Sequence, residues 1–201
     1  MIRSLALVAF ATASIAGCRH DPGESERVAL ALVEAARSPA GIGADLVDAD
    51  VAEKVRRIQL VRRATLDTYD RGKLLEVLSG EAGPDRQYPP AERPTKQRER
   101  ASRGLAATAK GACKATRDPR LAADRVQLLV EPLKHVPSEV TAAQQDLAAA
   151  LHDTEGVRLD CAPGHVAVLL AKGGDGKLRA VDLWELGATS FEVNPNDPTM
   201  K

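Results

Sequence analysis

The chain has 201 residues, and 28 lysines and arginines balance 28 aspartates and glutamates. A balanced charge offers no overall electrostatic case for nucleic acid or an acidic ligand, and one Trp, two Tyr and two Phe leave few faces on which bases or sugars could stack. The length suits one domain with a real core or two small ones.

The first seventeen residues read as an export signal. Arg3 supplies a positive start, and Leu5 to Ile15 form an apolar run broken only by Thr12 and Ser14. That run is too short for the ~20 residues a membrane-spanning helix needs. It ends in Ile15-Ala16-Gly17-Cys18. These four positions resemble the lipobox of bacterial lipoproteins: an aliphatic residue, two small ones, then cysteine. The resemblance implies cleavage before Cys18, a diacylglycerol on its thiol and an acylated new amino terminus. It also implies membrane attachment of an extracytoplasmic protein through lipidated Cys18. Arg19 stands where an aspartate marks inner-membrane retention in enteric bacteria, so the expectation leans to the outer membrane. The alternative is ordinary signal cleavage after Ala13 or Ala16, which leaves a secreted protein.

Residues 18–24 then form a short tether containing Pro22-Gly23, and a single domain is expected over 25–193. Ser25 is placed as the cap of a first helix, Glu26 to Arg37, with Val28, Leu32, Ala35 and Ala36 on one face and Ala29, Leu30 and Val33 broadening it. Residues 38–43 are a loop. A second helix is expected from Asp45 to Asp70, its inward stripe made by Val47, Val51, Val55, Ile58, Val61 and Tyr69. Its other side carries Glu53 and several arginines. Arg56 and Arg63 form a candidate basic strip, weighed against a solvated face with ion pairs such as Glu53 to Arg57. Gly72 interrupts the pattern before a short helix, Lys73 to Leu78. Residues 80–94, with Pro84, Pro89, Pro90 and Pro94, read as an exposed loop within the domain.

Helix returns over 95–116, with Leu105, Ala109, Ala112 and Cys113 inward. Asp118-Pro119 is a strong helix start, and the pattern runs on to Lys134 with Val126, Leu129, Val130 and Leu133 as core. Pro137-Ser138 opens another helix with a stripe of Val140, Ala143, Leu147 and Leu151, which Gly156 is expected to stop. The period then changes. Val157, Leu159 and Cys161 alternate with charged residues as in a half-buried strand. Pro163-Gly164 turns the chain, and Val166 to Ala171 reads as a central strand covered on one or both faces. Gly173-Gly174-Asp175-Gly176 is a hairpin turn, and Leu178 to Leu186 is a third strand carrying Trp184. Phe191 and Val193 offer a further edge before a tail over 194–201. The fold class is therefore α+β: several amphipathic helices packed on a small C-terminal antiparallel meander. The closing strands resemble the ends of NTF2-like domains, but the helices depart from that pattern and no functional residue is carried over.

Cys113 and Cys161 remain after the anchor, and two leftover cysteines in an oxidising compartment suggest one disulfide, here stapling a helix to the first strand. The competing chemistry is a zinc site from His152, Cys161 and His165, with Cys113 as a fourth ligand. The spacing matches no established zinc pattern, and both histidines have structural explanations, one at a helix end and one beside a turn. No GxSxG nucleophile elbow, complete phosphate-binding loop, dinucleotide fingerprint or CxxCH occurs. No catalytic residue or cofactor is assigned. The leading expectation is a membrane-anchored envelope lipoprotein that binds a protein partner or has a structural or accessory role. The alternatives are a periplasmic hydrolase, zinc-dependent or not, and a lipid-binding accessory protein.

Overall fold

The computed structural model describes residues 22–67, 70–81, 86–162 and 164–187. The signal, Cys18, Tyr69, Phe191 and Val193 therefore lie outside the described residues. Among the described residues there are six helices: α1 (Glu24–Arg37), α2 (Ala49–Asp67), α3 (Arg71–Ser79), α4 (Arg93–Thr108), α5 (Pro119–Val130) and α6 (Ser138–Ala150). Four strands, β1 (Cys113–Arg117), β2 (Thr154–Cys161), β3 (His165–Lys172) and β4 (Leu178–Glu185), form one antiparallel sheet in the order β1-β2-β3-β4. The fold is α+β, and helices cover the sheet on both faces. On one side α1 and α4 bring Leu32, Val33 and Leu105 onto Val157, Leu159, Val166, Val168 and Leu170. On the other, α2, α5 and α6 bring Ile58, Leu129, Leu147 and Leu151 onto Leu169, Ala171 and Val181. This explains the unbroken apolar run in β3, whose six middle residues are all buried. Away from the sheet, Val61 and Ala64 of α2 pack with Leu74, Val77 and Val140.

Several boundaries differ from the periodicity. The first helix is capped two residues earlier than Ser25: Gly23 is its N-cap and donates its amide to the Glu26 carboxylate, while Ser25 is buried inside the helix. The other Glu26 oxygen accepts the Arg117 amide at 3.2 Å, so one side chain joins the start of α1 to the outer edge of β1. The second helix begins at Ala49, not Asp45. Asp48 accepts the Val51 amide at 3.1 Å, and the residues before it instead run beside β4, with Val47 bridging Ala180. Similarly, α5 stops at Val130 and not at Lys134, because Glu131 precedes Pro132 and takes the extended conformation that proline imposes (ψ 125°).

The largest difference is at residues 109–117. The expected helix over 95–116 ends at Thr108, and Cys113 to Arg117 form a strand. The chain crosses the end of β2 at Gly111, whose amide donates to the Ala162 carbonyl at 2.9 Å. A Cβ on Gly111 would stand 3.1 Å from that of Ala162. The Arg37 guanidinium donates to the carbonyls of Ala109 and Gly111, satisfying groups that the helix end releases.

Gly156 also changes role. It does not stop a helix, since α6 ends at Ala150 and Gly156 lies within β2. There it lets the first turn of α5 rest on the sheet: an added Cβ would lie 2.6 Å from both the Ala122 amide nitrogen and the Asp118 carbonyl oxygen. Those are backbone atoms and cannot rotate aside. Gly156→Ala is expected to destabilise the protein by about 1–3 kcal/mol, read as a lower urea midpoint with an unchanged slope. A change below ~0.5 kcal/mol, the range of ordinary surface substitutions, would show that α5 is not seated on β2 in this way.

Candidate functional site

Cys113 and Cys161 stand directly opposite one another across β1 and β2, with Cα atoms 4.2 Å apart and sulfurs at 2.12 Å, bonding distance for a disulfide. The link runs strand to strand, and not helix to strand as the expected helix over 95–116 required. The zinc reading fares differently. His165 begins β3 opposite Asp160, whose carboxylate meets its Nδ1 at 2.6 Å, close to Cys161. His152 is at the other end of β2, its Nδ1 2.8 Å from the Ala149 carbonyl oxygen. An eight-residue strand separates them by roughly 20 Å, so His152 cannot share a metal with the other two. Among the described residues no group of three or more His, Cys, Asp or Glu side chains is placed to hold a metal ion.

A site that residue types did not announce lies between α2, α4 and β4, where a cleft of about 220 Å³ opens. Its floor follows from a bulge. Leu169 pairs with Asp182 and Leu170 with Ala180, so Val181 is an extra residue in β4. The bulge re-aims the strand and turns Asp182 towards the helices α2 and α5. Its Oδ2 accepts from Arg125 Nε at 2.7 Å and from Gln59 Nε2 at 3.0 Å, and its Oδ1 accepts the Leu183 amide at 2.9 Å. The Arg125 guanidinium also lies over the Trp184 ring at 4.8 Å. The side chains of Arg125 and Asp182 are only 13% and 11% exposed. Burial pushes the Asp182 carboxyl above its ordinary pKa, against the opposing pull of Arg125, the Leu183 amide and Gln59.

The wall is organised by Glu53 of α2. It accepts from Arg57 Nε at 2.7 Å, from Arg56 Nε at 3.0 Å and from the amide of Gln97, tying α2 to α4. Burial alone would raise the Glu53 carboxyl, but its hydrogen bonds and charge pairing with the two arginines hold it below the ordinary range. Arg56 thus lines the cleft as part of a network, and the ion pair expected between Glu53 and Arg57, the reading weighed against a basic strip of Arg56 and Arg63, is present. Both carboxylates are engaged by neighbouring donors, and neither histidine discussed above lies in the cleft. No family model, no curated protein and no solved structure matches the chain.

Proposed function

We propose that this chain is an envelope lipoprotein, tethered through lipidated Cys18 on the extracytoplasmic side, whose domain acts by binding and not by catalysis. Its partner on this reading is an envelope protein, and the outer membrane is the favoured location. The observation that carries the proposal is the opposed Cys113–Cys161 pair at disulfide distance. Such bonds persist in oxidising compartments, which agrees with an export signal ending in Ile15-Ala16-Gly17-Cys18. The first helix begins at Glu24, six positions beyond Cys18, so the domain would sit close to the bilayer surface. Two or more acyl chains hold such a domain firmly, at ~0.8 kcal/mol for each buried CH₂. The hydrolase alternative that uses His152 and His165 together requires residues that stand at opposite ends of β2.

Intact-mass analysis of the membrane-extracted protein tests the anchor. The expected chain begins at Cys18 and carries the added mass of diacylglycerol and a further acyl group, and Cys18→Ala abolishes both the added mass and the cleavage. A mature protein that begins elsewhere and lacks acyl mass would refute the proposal.

A further inference from the structure

Net neutrality hides a local imbalance on α4. Its sixteen residues carry Arg93, Lys96, Arg98, Arg100 and Arg103 against one acid, Glu99. Glu99 is already paired with Lys96, 3.1 Å from its Nζ. Most arginines elsewhere are engaged with carboxylates or carbonyls: Arg57 with Glu53, Arg117 with Glu155, Arg125 with Asp182, Arg179 with Asp175, Arg37 and Arg62 with chain carbonyls. Arg98 and Arg103 have no carboxylate partner among the described residues; Arg98 donates only to the Thr95 hydroxyl, at 3.2 Å. Both line one cleft of about 570 Å³, between α4 and the loop joining α1 to α2. This cleft is separate from the one floored by Asp182, although Arg98 borders each.

The loop side of the cleft is built to stay in place. The Ile42 amide donates to the Ser102 hydroxyl at 2.8 Å, in a buried hydrogen bond from the loop to α4. Gly41 has φ +70°, and a Cβ there would press to 3.2 Å from the same hydroxyl. The next amides, those of Gly43 and Ala44, have no acceptor among the described residues. The carboxylate of Asp45, which follows, stands against Gly43. The cleft therefore presents two guanidinium groups without a carboxylate partner, and its one lining acid, Glu99, is paired with Lys96.

We propose that this cleft binds a phosphate ester, with Arg98 and Arg103 of α4 donating to its oxygens. Guanidinium groups match tetrahedral oxyanions through paired donors, which an ammonium cannot reproduce. A preformed loop lowers the ordering cost of binding. The volume exceeds that of a bare phosphate, so the ester's organic part has room. The source is either a soluble phosphate ester or a phospholipid headgroup. The inference does not depend on acylation of Cys18.

Titration calorimetry on the purified full chain in an uncharged detergent tests this, with two probes. Glycerol 3-phosphate represents the soluble source, and the same micelles doped with phosphatidylglycerol or phosphatidylcholine represent the headgroup. Saturable binding of either phosphate probe is expected, weakened about tenfold by Arg98→Gln or Arg103→Gln and about a hundredfold by both together, each lost contact being a charge-assisted one. Arg98→Lys and Arg103→Lys, which keep the charge and the fold, should also weaken it. Arg120→Gln, on α5, should leave it unchanged. Response to glycerol 3-phosphate identifies a soluble ligand; response to phosphatidylglycerol alone identifies a headgroup. If neither probe binds saturably, or if the double variant binds as the parent does while melting at the same temperature, the arginines are a solvated face and the proposal fails.

Discussion

Asp182→Ala is expected to destabilise the protein by about 3–5 kcal/mol, because it leaves the Arg125 charge buried without its partner. Arg125→Met should cost a similar amount by stranding the carboxylate. The two losses should not add: Arg125→Met combined with Asp182→Leu removes both charges, and replacing a buried pair with apolar side chains is often neutral or favourable. Gln59 then loses its acceptor but borders the open cleft, where water can replace it. Urea unfolding of the three variants forms a cycle whose expected coupling is a large fraction of either single cost. The pH dependence supplies an independent check. A carboxyl whose native pKa is raised binds a proton in the folded state before it does in the unfolded chain. Its contribution is therefore fully present below the unfolded value, roughly 3.9, and falls as pH rises through the native value. Removing Arg125 takes away a group that lowers that pKa, so stability of Arg125→Met should decline more steeply with rising pH than that of the parent. Single variants that each cost under 1 kcal/mol, with no coupling, would show that the pair is solvated.

This cluster also marks where reading by residue type stops. The strands β2 to β4 were legible because their patterns are local: Val157, Leu159 and Cys161 alternate with charges, and 166–171 is continuously apolar. Helix starts at Asp118-Pro119 and the stripe Val140, Leu147, Leu151 were legible for the same reason. In contrast, β1 was not. Cys113-Lys114-Ala115-Thr116-Arg117 follows an alanine-rich helix and has weak alternation, and its strand conformation comes from pairing with the free edge of β2. The bulge at Val181 has no sequence mark either, so Asp182 could not be placed on the interior side. A buried arginine such as Arg125 has the same spacing as one whose stem lies along apolar surface while its head reaches water. Gly156 was read as punctuation because glycine often ends helices, whereas its role is to admit α5. The anion cleft depends on what is absent around Arg98 and Arg103, and only the placement of every other charge shows that.

The cysteine pair could be counted in the sequence but not positioned, and its position decides the second large prediction. Reducing the bond, or replacing both cysteines with serine, is expected to cost about 4 kcal/mol on the chain-entropy account, since it closes a loop over a sequence separation of 48 residues. The loss should first loosen β1. A Cα separation of 4.2 Å places Cys113 and Cys161 at a position that exchanges no backbone hydrogen bonds. The neighbouring residues Lys114 and Thr116 then make the ladder to β2. The register agrees: Asp118, two further on, donates to the Gly156 carbonyl at 2.8 Å, while the Arg117 amide turns outward to Glu26. At its far end β1 is held by Glu26, and at its near end by the bond and by Arg37 through the carbonyls of Ala109 and Gly111. Without the bond, the five-residue edge strand keeps its ladder, these two side-chain ties, the Arg117–Glu155 ion pair and the packing of Ala115 on the core. Hydrogen exchange should accordingly show the Lys114 and Thr116 amides losing protection on reduction, while amides in β3, buried on both faces, keep theirs until global unfolding. Equal urea midpoints with and without reductant would show that the bond contributes nothing to the fold. Unchanged exchange at Lys114 and Thr116 alongside a lowered midpoint would place its effect in the unfolded chain and not in β1.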